Sequence, residues 1–208
     1  MTATLYCFGE SGNAYKAALT MALAGYDWTP VWVDFFHGGA RRPEFLALNE
    51  MGEVPVFVED GLTLTQSAVI QLHVAERSGK LMTGDRDEIL RWLFWDNHKG
   101  SAQFGTLRFL MNFLPEEKRP AEAIRWLSGR VQAALATLEQ HLEGRDWMAG
   151  NAPSLADTAC CGYLYYPEPF GFERDRFPAI SAWLDRIAAL PGWKHPYEMM
   201  PGNPADRA

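Results

Sequence analysis

Cysteine is scarce in this chain of 208 residues: only Cys7, Cys160 and Cys161 are present. The last two are adjacent, a spacing that rarely bridges well, and neither a C-x-x-C pair nor a metal-ligand spacing occurs. A disulfide scaffold is excluded, and a reducing compartment is expected. Long apolar runs are also missing, with none near the about eighteen residues that a membrane-spanning helix needs. Basic charge is in deficit, 19 Lys+Arg against 26 Asp+Glu for a net −7. That balance argues against nucleic acid or an anionic membrane as main partner. The start, Met1-Thr2-Ala3-Thr4, lacks the basic segment and apolar core of a secretion signal, so a cytoplasmic location is expected. There is no Gly-rich phosphate loop and no ligand cluster, so neither a nucleotide nor a metal is implied. Internal repeats and low-complexity tracts are absent as well.

What is present is an apolar fraction of 48%, enough for one large domain or two small ones. Leu5 to Phe8 reads as a strand, and Ser11-Gly12-Asn13 as a turn into a helix. Tyr15, Ala18, Leu19, Ala22 and Leu23 form that helix's apolar face, and Gly25 stops it. Trp28 to Phe36 reads as a second strand, His37 to Pro43 as a loop, and Glu44 to Leu48 as a short helix. A hairpin and a helix ending near Ser78-Gly79 follow. The order β-α-β then β-β-α is that of a thioredoxin-like α/β domain over residues 1–79. Composition shifts at Gly79, and residues 80–87 read as a linker. Residues 88–208 read as an all-α helical bundle, with helices over 88–114, 121–142 and 178–190 and another opening at Ala152 to Asp157. There, Ser154-x-x-Asp157 is a capping box with Asp in place of Glu, a folding signal rather than a catalytic one.

The most informative stretch runs from Gly52 to Ser67. Glu53-Val54-Pro55-Val56-Phe57-Val58 is an apolar strand pattern interrupted by a proline, which cannot donate to a central ladder. Val54-Pro55 is therefore expected at an edge or a kink, where a cis bond is available. The kink leaves the Val54 N–H and C=O facing out, ready to pair with a short extended peptide. Asp60-Gly61 is a strong hairpin turn, and Leu62 to Thr65 returns alongside. Ser67 then stands where an N-cap is expected, before Val69, Ile70, Leu72 and Val74. A helix N-terminus presents unpaired N–H groups that suit a carboxylate. An exposed strand edge beside a carboxylate trap points to a small acidic peptide as ligand.

These residues resemble the cytosolic glutathione S-transferases of bacterial, serine-type character, and the resemblance covers nearly the whole chain. It implies that Val54, before cis-Pro55, pairs with the main chain of glutathione, and that Gln66 and Ser67 hold its γ-glutamyl carboxylate. Glu53 stands among these binding residues where the family often has Lys or Gln, and His37, Arg41 and Arg42 are candidates for the glycine carboxylate. A free thiol has a pKa of about 8.5, so little thiolate exists at neutral pH. A donor to the sulfur that raises ionisation about a hundredfold is worth roughly 2.7 kcal/mol. Ser11 is the expected donor, beside its simpler role as an N-cap. Asn13, one turn inside, competes for the role through its amide N–H₂ and otherwise serves the turn. Cys7 falls where tyrosine-type members carry their tyrosine and is expected to be a small buried residue. Tyr6 points to the other face by strand alternation.

The resemblance further implies glutathione as cosubstrate, conjugation to small apolar electrophiles, a homodimer, and an electrophile pocket lined from the helical half by Trp95, His98, Phe104 and Phe109. Aromatic stripes are more often core, which is the competing reading of these residues. Other chemistry on the same fold stays open: a glutathione-dependent isomerase, dehalogenase, ether-cleaving enzyme or disulfide reductase. A non-catalytic binding module is the third reading, favoured only by Glu53.

Overall fold

The computed structural model describes residues 2–202, which form two compact units. One holds the chain up to Leu81 together with the segment from Leu190 onward; the other is Met82–Ala189. The segment after 190 therefore differs from the sequence expectation, which assigned everything beyond 88 to the helical bundle.

The first unit is a four-stranded sheet of order β2-β1-β3-β4, built from β1 (Ala3–Cys7), β2 (Trp28–Trp32), β3 (Val56–Glu59) and β4 (Leu62–Thr65). β2 runs parallel to β1, while β3 is antiparallel to both β1 and β4. Alternation places Ala3, Leu5 and Cys7 on a face with no solvent exposure. Helices α1 (Gly12–Ala24) and α3 (Ser67–Ser78) pack against each other, burying Tyr15, Leu19, Ile70 and Val74. The buried Gln71 amide donates to Thr20 Oγ1 across that contact, at 3.0 Å. On the opposite face Val33, Ala40, Phe45 and Val56 form a second apolar cluster, joined by Tyr6 and Leu48. Phe45 belongs to the one-turn helix α2 (Pro43–Leu46).

The Asp60-Gly61 turn has φ of 50° and 82° at its two central residues, the left-handed pair that a twisted hairpin requires. β2 ends at Trp32, not at Phe36 as expected. The Val33 N–H still reaches Cys7 O, but the backbone then coils into two short 3₁₀ turns, Phe35–His37 and Gly39–Arg41.

The second unit contains α4 (Arg86–Trp95), α5 (Ala102–Asn112), α6 (Ala121–Leu142), α7 (Leu155–Cys160) and α8 (Pro178–Ala188). The helix expected to be continuous over 88–114 starts two residues earlier and is broken by a π-helical turn, Asp96–Ser101. Both Asp96 carboxylate oxygens accept from Ser101 Oγ at 3.1 Å. A Cβ on Gly100 would stand 2.5 Å from Asp96 Oδ1, so a larger residue there would have to displace the carboxylate. Helix α6 lays Leu127, Val131, Leu135 and Leu138 into the core, and its Glu139 accepts from the Ala179 and Ile180 N–H groups that open α8.

Asp157 ties this unit together. It accepts from the Met148 and Ser154 N–H groups, the Ser154 hydroxyl and the Trp183 indole, at 2.8–2.9 Å. Burial pushes its carboxyl pKa up, opposed by these four donors. Asp157→Ala leaves several of them buried without an acceptor, so stability falls by roughly 3–5 kcal/mol, measured by urea unfolding. A loss below about 1 kcal/mol would show that water replaces the carboxylate at little cost.

Candidate active site

The strand directions of the first unit decide where its loops meet. β1 and β4 run the same way with β3 reversed between them, and β2 is parallel to β1. The end of β1, the end of β2, the start of β3 and the end of β4 therefore share one rim of the sheet. Val56 sits opposite Tyr6 on one side and Thr65 on the other, which fixes that rim to the residue. Ser11 and Asn13 follow β1, His37 and Arg41 follow β2, Glu53-Val54-Pro55 precedes β3, and Gln66-Ser67 follows β4. All nine of these sequence-predicted residues thus converge on one edge, although they span 57 positions of the chain from 11 to 67, both counted.

Ser11 is the N-cap of α1. Its Oγ accepts the Ala14 N–H at 3.1 Å and it is 9% exposed. A hydroxyl has one donor and two acceptor positions, so this cap leaves its proton for another acceptor. Asn13 turns its Oδ1 toward the Lys16 ammonium at 3.3 Å, which presents the amide N–H₂ the other way. Ser11 also stands on a tight turn, closed by Ser11 N–H to Phe8 O at 3.0 Å. The Gly9 N–H within that turn donates to Pro201 O at 2.7 Å, so the C-terminal segment anchors the loop. Nothing in the residue pattern around Pro201 signals this contact.

Val54-Pro55 is a cis peptide bond. Pro55 lies just before the central strand β3, so the kink expected here is found at a strand entry and not on an edge strand. Pairing begins at Val56, which leaves the Val54 peptide groups outside the ladder. Asn49, not among the predicted residues, holds this loop. Its Oδ1 accepts the Met51 N–H at 3.1 Å and its Nδ2 donates to Glu53 O at 2.7 Å, all from a side chain 4% exposed. The signal for it is an Asx turn, Asn followed within three residues by Gly52 at φ 63°. Glu53 itself extends its carboxylate into solvent.

Ser67 is the first residue of α3 and not its N-cap, a correction to the sequence expectation. Gln66 occupies the cap position with φ 69° and ψ 120°, where a side chain is strained. Non-glycine residues persist there only when their surroundings enforce it, and they gather at ligand-holding sites. The Val69 and Ile70 N–H groups both turn back to Gln66 O, so the N–H groups of Ser67 and Ala68 head a twelve-residue helix.

Two expected partners are already engaged. The His37 Nδ1 lies 2.8 Å from Asp34 Oδ1, with the imidazole well exposed. Arg41 donates from Nη1 to Met51 O at 3.2 Å, which leaves its other guanidinium donors available. Cys7 is fully buried and its thiol pKa is pushed up to about 12 by that burial, so it is no thiolate nucleophile. Tyr6 faces away and packs edge-on against Phe45.

In the helical unit, Trp95, His98, Phe104 and Phe109 stand in different surroundings. Phe104 is core, 1% exposed and packed on Phe170 at 5.6 Å. Trp95 packs edge-on against Trp92, His98 is exposed within the π-helical turn, and Phe109 stacks on Phe113. No group of three or more His, Cys, Asp or Glu side chains is placed to hold a metal among the described residues, and none of the described helices is long and apolar enough to cross a membrane.

Two family models match the chain: the glutathione S-transferase N-terminal domain over residues 1–76 and its C-terminal domain over 104–191. A glutathione S-transferase structure from Xanthobacter autotrophicus Py2 is 34% identical, with a TM-score of 0.86 and 99% of each chain covered. A structure from Burkholderia graminis, with two glutathione molecules bound per subunit, is 26% identical with a TM-score of 0.82, covering 92% of this chain and 85% of that one. Maleylacetoacetate isomerase of Pseudomonas aeruginosa is 30% identical, over 97% of this chain and 99% of its own length. The disulfide-bond oxidoreductase YfcG of Escherichia coli K12 is 28% identical, over 88% and 89%.

Asn49→Ala removes both clamps on the Glu53–Pro55 loop. Glutathione affinity is expected to fall about tenfold, and stability by roughly 1–3 kcal/mol. Calorimetric titration beside thermal unfolding checks this; unchanged affinity would mean the loop keeps its shape without Asn49.

Proposed function

The chain belongs to the glutathione S-transferase family, and on that premise we propose a serine-type glutathione transferase that conjugates the glutathione thiolate to small apolar electrophiles. The observation that carries this reading is the Ser11 hydroxyl, which is capped from below by the Ala14 N–H and so keeps its own proton to donate. Glutathione is the cosubstrate of the family. Its cysteine main chain would pair with the free peptide groups of Val54. Its γ-glutamyl carboxylate would take the Ser67 hydroxyl and the first N–H groups of α3, where the helix dipole favours negative charge. Gln66 flanks it, and Arg41 and His37 stand on the loop that would meet the glycine carboxylate.

The chemical step follows from ordinary thiolate reactivity. The thiol loses its proton to solvent, aided by the Ser11 O–H and the Asn13 N–H₂ bonding to the sulfur anion. The sulfur lone pair then forms a C–S bond at the electrophilic carbon. In a substitution the leaving group departs with the bonding electrons; in an addition they pass into the conjugated acceptor, which takes a proton from water. All three cysteines of the chain are buried, so the nucleophile is the cosubstrate's own sulfur.

A second reading keeps the glutathione site and changes the reaction, as the likeness to an isomerase and a disulfide oxidoreductase allows. Product analysis separates the two: a thioether favours the transferase, an isomerised substrate or oxidised glutathione the alternatives. We also propose a cytoplasmic homodimer, tested by sedimentation equilibrium.

Ser11→Ala should shift the pH–rate profile upward and lower kcat at neutral pH by about 10- to 100-fold, the equivalent of roughly 1.4–2.7 kcal/mol. Glutathione affinity should stay nearly intact. An unmoved profile would transfer the role to Asn13, which Asn13→Ala then tests. Ser67→Ala should instead weaken glutathione binding about tenfold while preserving turnover at saturation. Lost turnover with unchanged affinity would contradict the assignment.

A further inference from the structure

Among the described residues Met51 is the one exposed methionine, at 43%. Met21, Met148, Met199 and Met200 are buried, and Met82 and Met111 are half-buried. All three cysteines are buried as well. The described sulfur most open to an oxidant in solvent is therefore the Met51 thioether. It stands in the loop from Asn49 to Glu53, between residues assigned above to glutathione.

Three hydrogen bonds join Met51 to that site. Its N–H donates to Asn49 Oδ1 at 3.1 Å, its C=O accepts from Arg41 Nη1 at 3.2 Å, and its sulfur accepts from Gln66 Nε2 at 3.3 Å. The last bond links the loop before β3 to the junction after β4. It holds the side chain of a residue whose backbone is strained, at φ 69°. The loop has little slack, since a Cβ on Gly52 would stand 2.5 Å from Arg41 Nη1. A thioether is a small, weak acceptor. Its sulfoxide is polar, chiral and larger by one oxygen.

We propose that Met51 is an oxidation site, and that its sulfoxide loosens Gln66 and lowers the affinity for glutathione. The oxidant is hydrogen peroxide. A lone pair of the sulfur attacks one peroxide oxygen, the S–O bond forms and the O–O bond breaks. The departing hydroxide takes the proton of the transferred oxygen and leaves as water. Sulfur is oxidised by two electrons and the peroxide is reduced by two. The new oxygen sits on the same sulfur that accepts from Gln66, so the contact to Nε2 is broken or rebuilt. The effect on affinity rests on the glutathione site proposed above; the oxidation and its effect on Gln66 do not.

The test uses the full chain, treated with hydrogen peroxide that catalase then removes. Peptide mass mapping should find the added oxygen at Met51 several-fold sooner than at the buried methionines. The Gln66 side-chain amide resonances, assigned with Gln66→Glu, should move on oxidation of the wild-type chain and stay in place in Met51→Leu. Calorimetric titration should show affinity for reduced glutathione lowered about threefold, and restored by methionine sulfoxide reductases for both epimers with dithiothreitol. Met51→Leu, which lacks the acceptor, should bind like the oxidised chain before treatment and stay there after it. Met51 oxidised no faster than the buried methionines, unmoved Gln66 resonances, or the same peroxide-induced loss in Met51→Leu would each overturn the proposal. Untreated protein that binds no glutathione refutes the site reading alone, because mapping and the Gln66 resonances still report on the methionine. Glutathione binding that is indifferent to Met51 oxidation refutes the oxidation proposal alone.

Discussion

One row of paired residues, Tyr6 opposite Val56 opposite Thr65, is what the site depends on. It locks β1, β3 and β4 in register, and with their alternating directions it brings four loops to one rim. None of those loops has strong structure of its own. The Phe8–Ser11 turn, the coil after β2, the cis-proline entry and the Gln66 junction are placed by the sheet. A slip of one residue would exchange the faces of β3, sending Val56 and Phe57 to the wrong sides, so burial on both faces resists it. The site inherits its geometry from this core.

Its electrostatics are local. A protein of net charge −7 that takes up an acidic tripeptide needs donors placed at the anionic groups. In the proposed site they are backbone and hydroxyl donors at the starts of α1 and α3, with Arg41, tethered to Met51 O, the flexible exception. Fixed dipoles cost little to reorganise when the sulfur ionises, and a neutral donor at the thiol leaves the thiolate nucleophilic.

Much of this was legible in the residues, for identifiable reasons. Asp60-Gly61 reads as a hairpin because only such residues accept two positive φ values, and Ser11 reads as a cap because its hydroxyl matches a helix start. Ser67 has the residue type of a cap yet stands one position beyond it. The true cap, Gln66, holds a positive φ that its side chain disfavours, so residue type points away from it. The aromatic run to Phe36 has the look of a strand, yet β2 stops at Trp32, where ladder pairing gives way to 3₁₀ coiling. The π-helical turn keeps a helical pattern through Asp96–Ser101, with Gly100 as its sole mark. Asn49 is marked only by a local Asx-turn signal, while the Gly9–Pro201 bond joins distant residues with no periodicity, and that one only the folded chain reveals.

The central claim is that this rim binds glutathione as the thiolate. The most direct measurement is calorimetric titration of the protein with reduced glutathione near neutral pH, in two buffers of different ionisation enthalpy, which counts protons released on binding. A thiol ionised by Ser11 gives up close to one proton per glutathione bound. Binding with no proton release would leave the sulfur protonated in the complex and contradict the account.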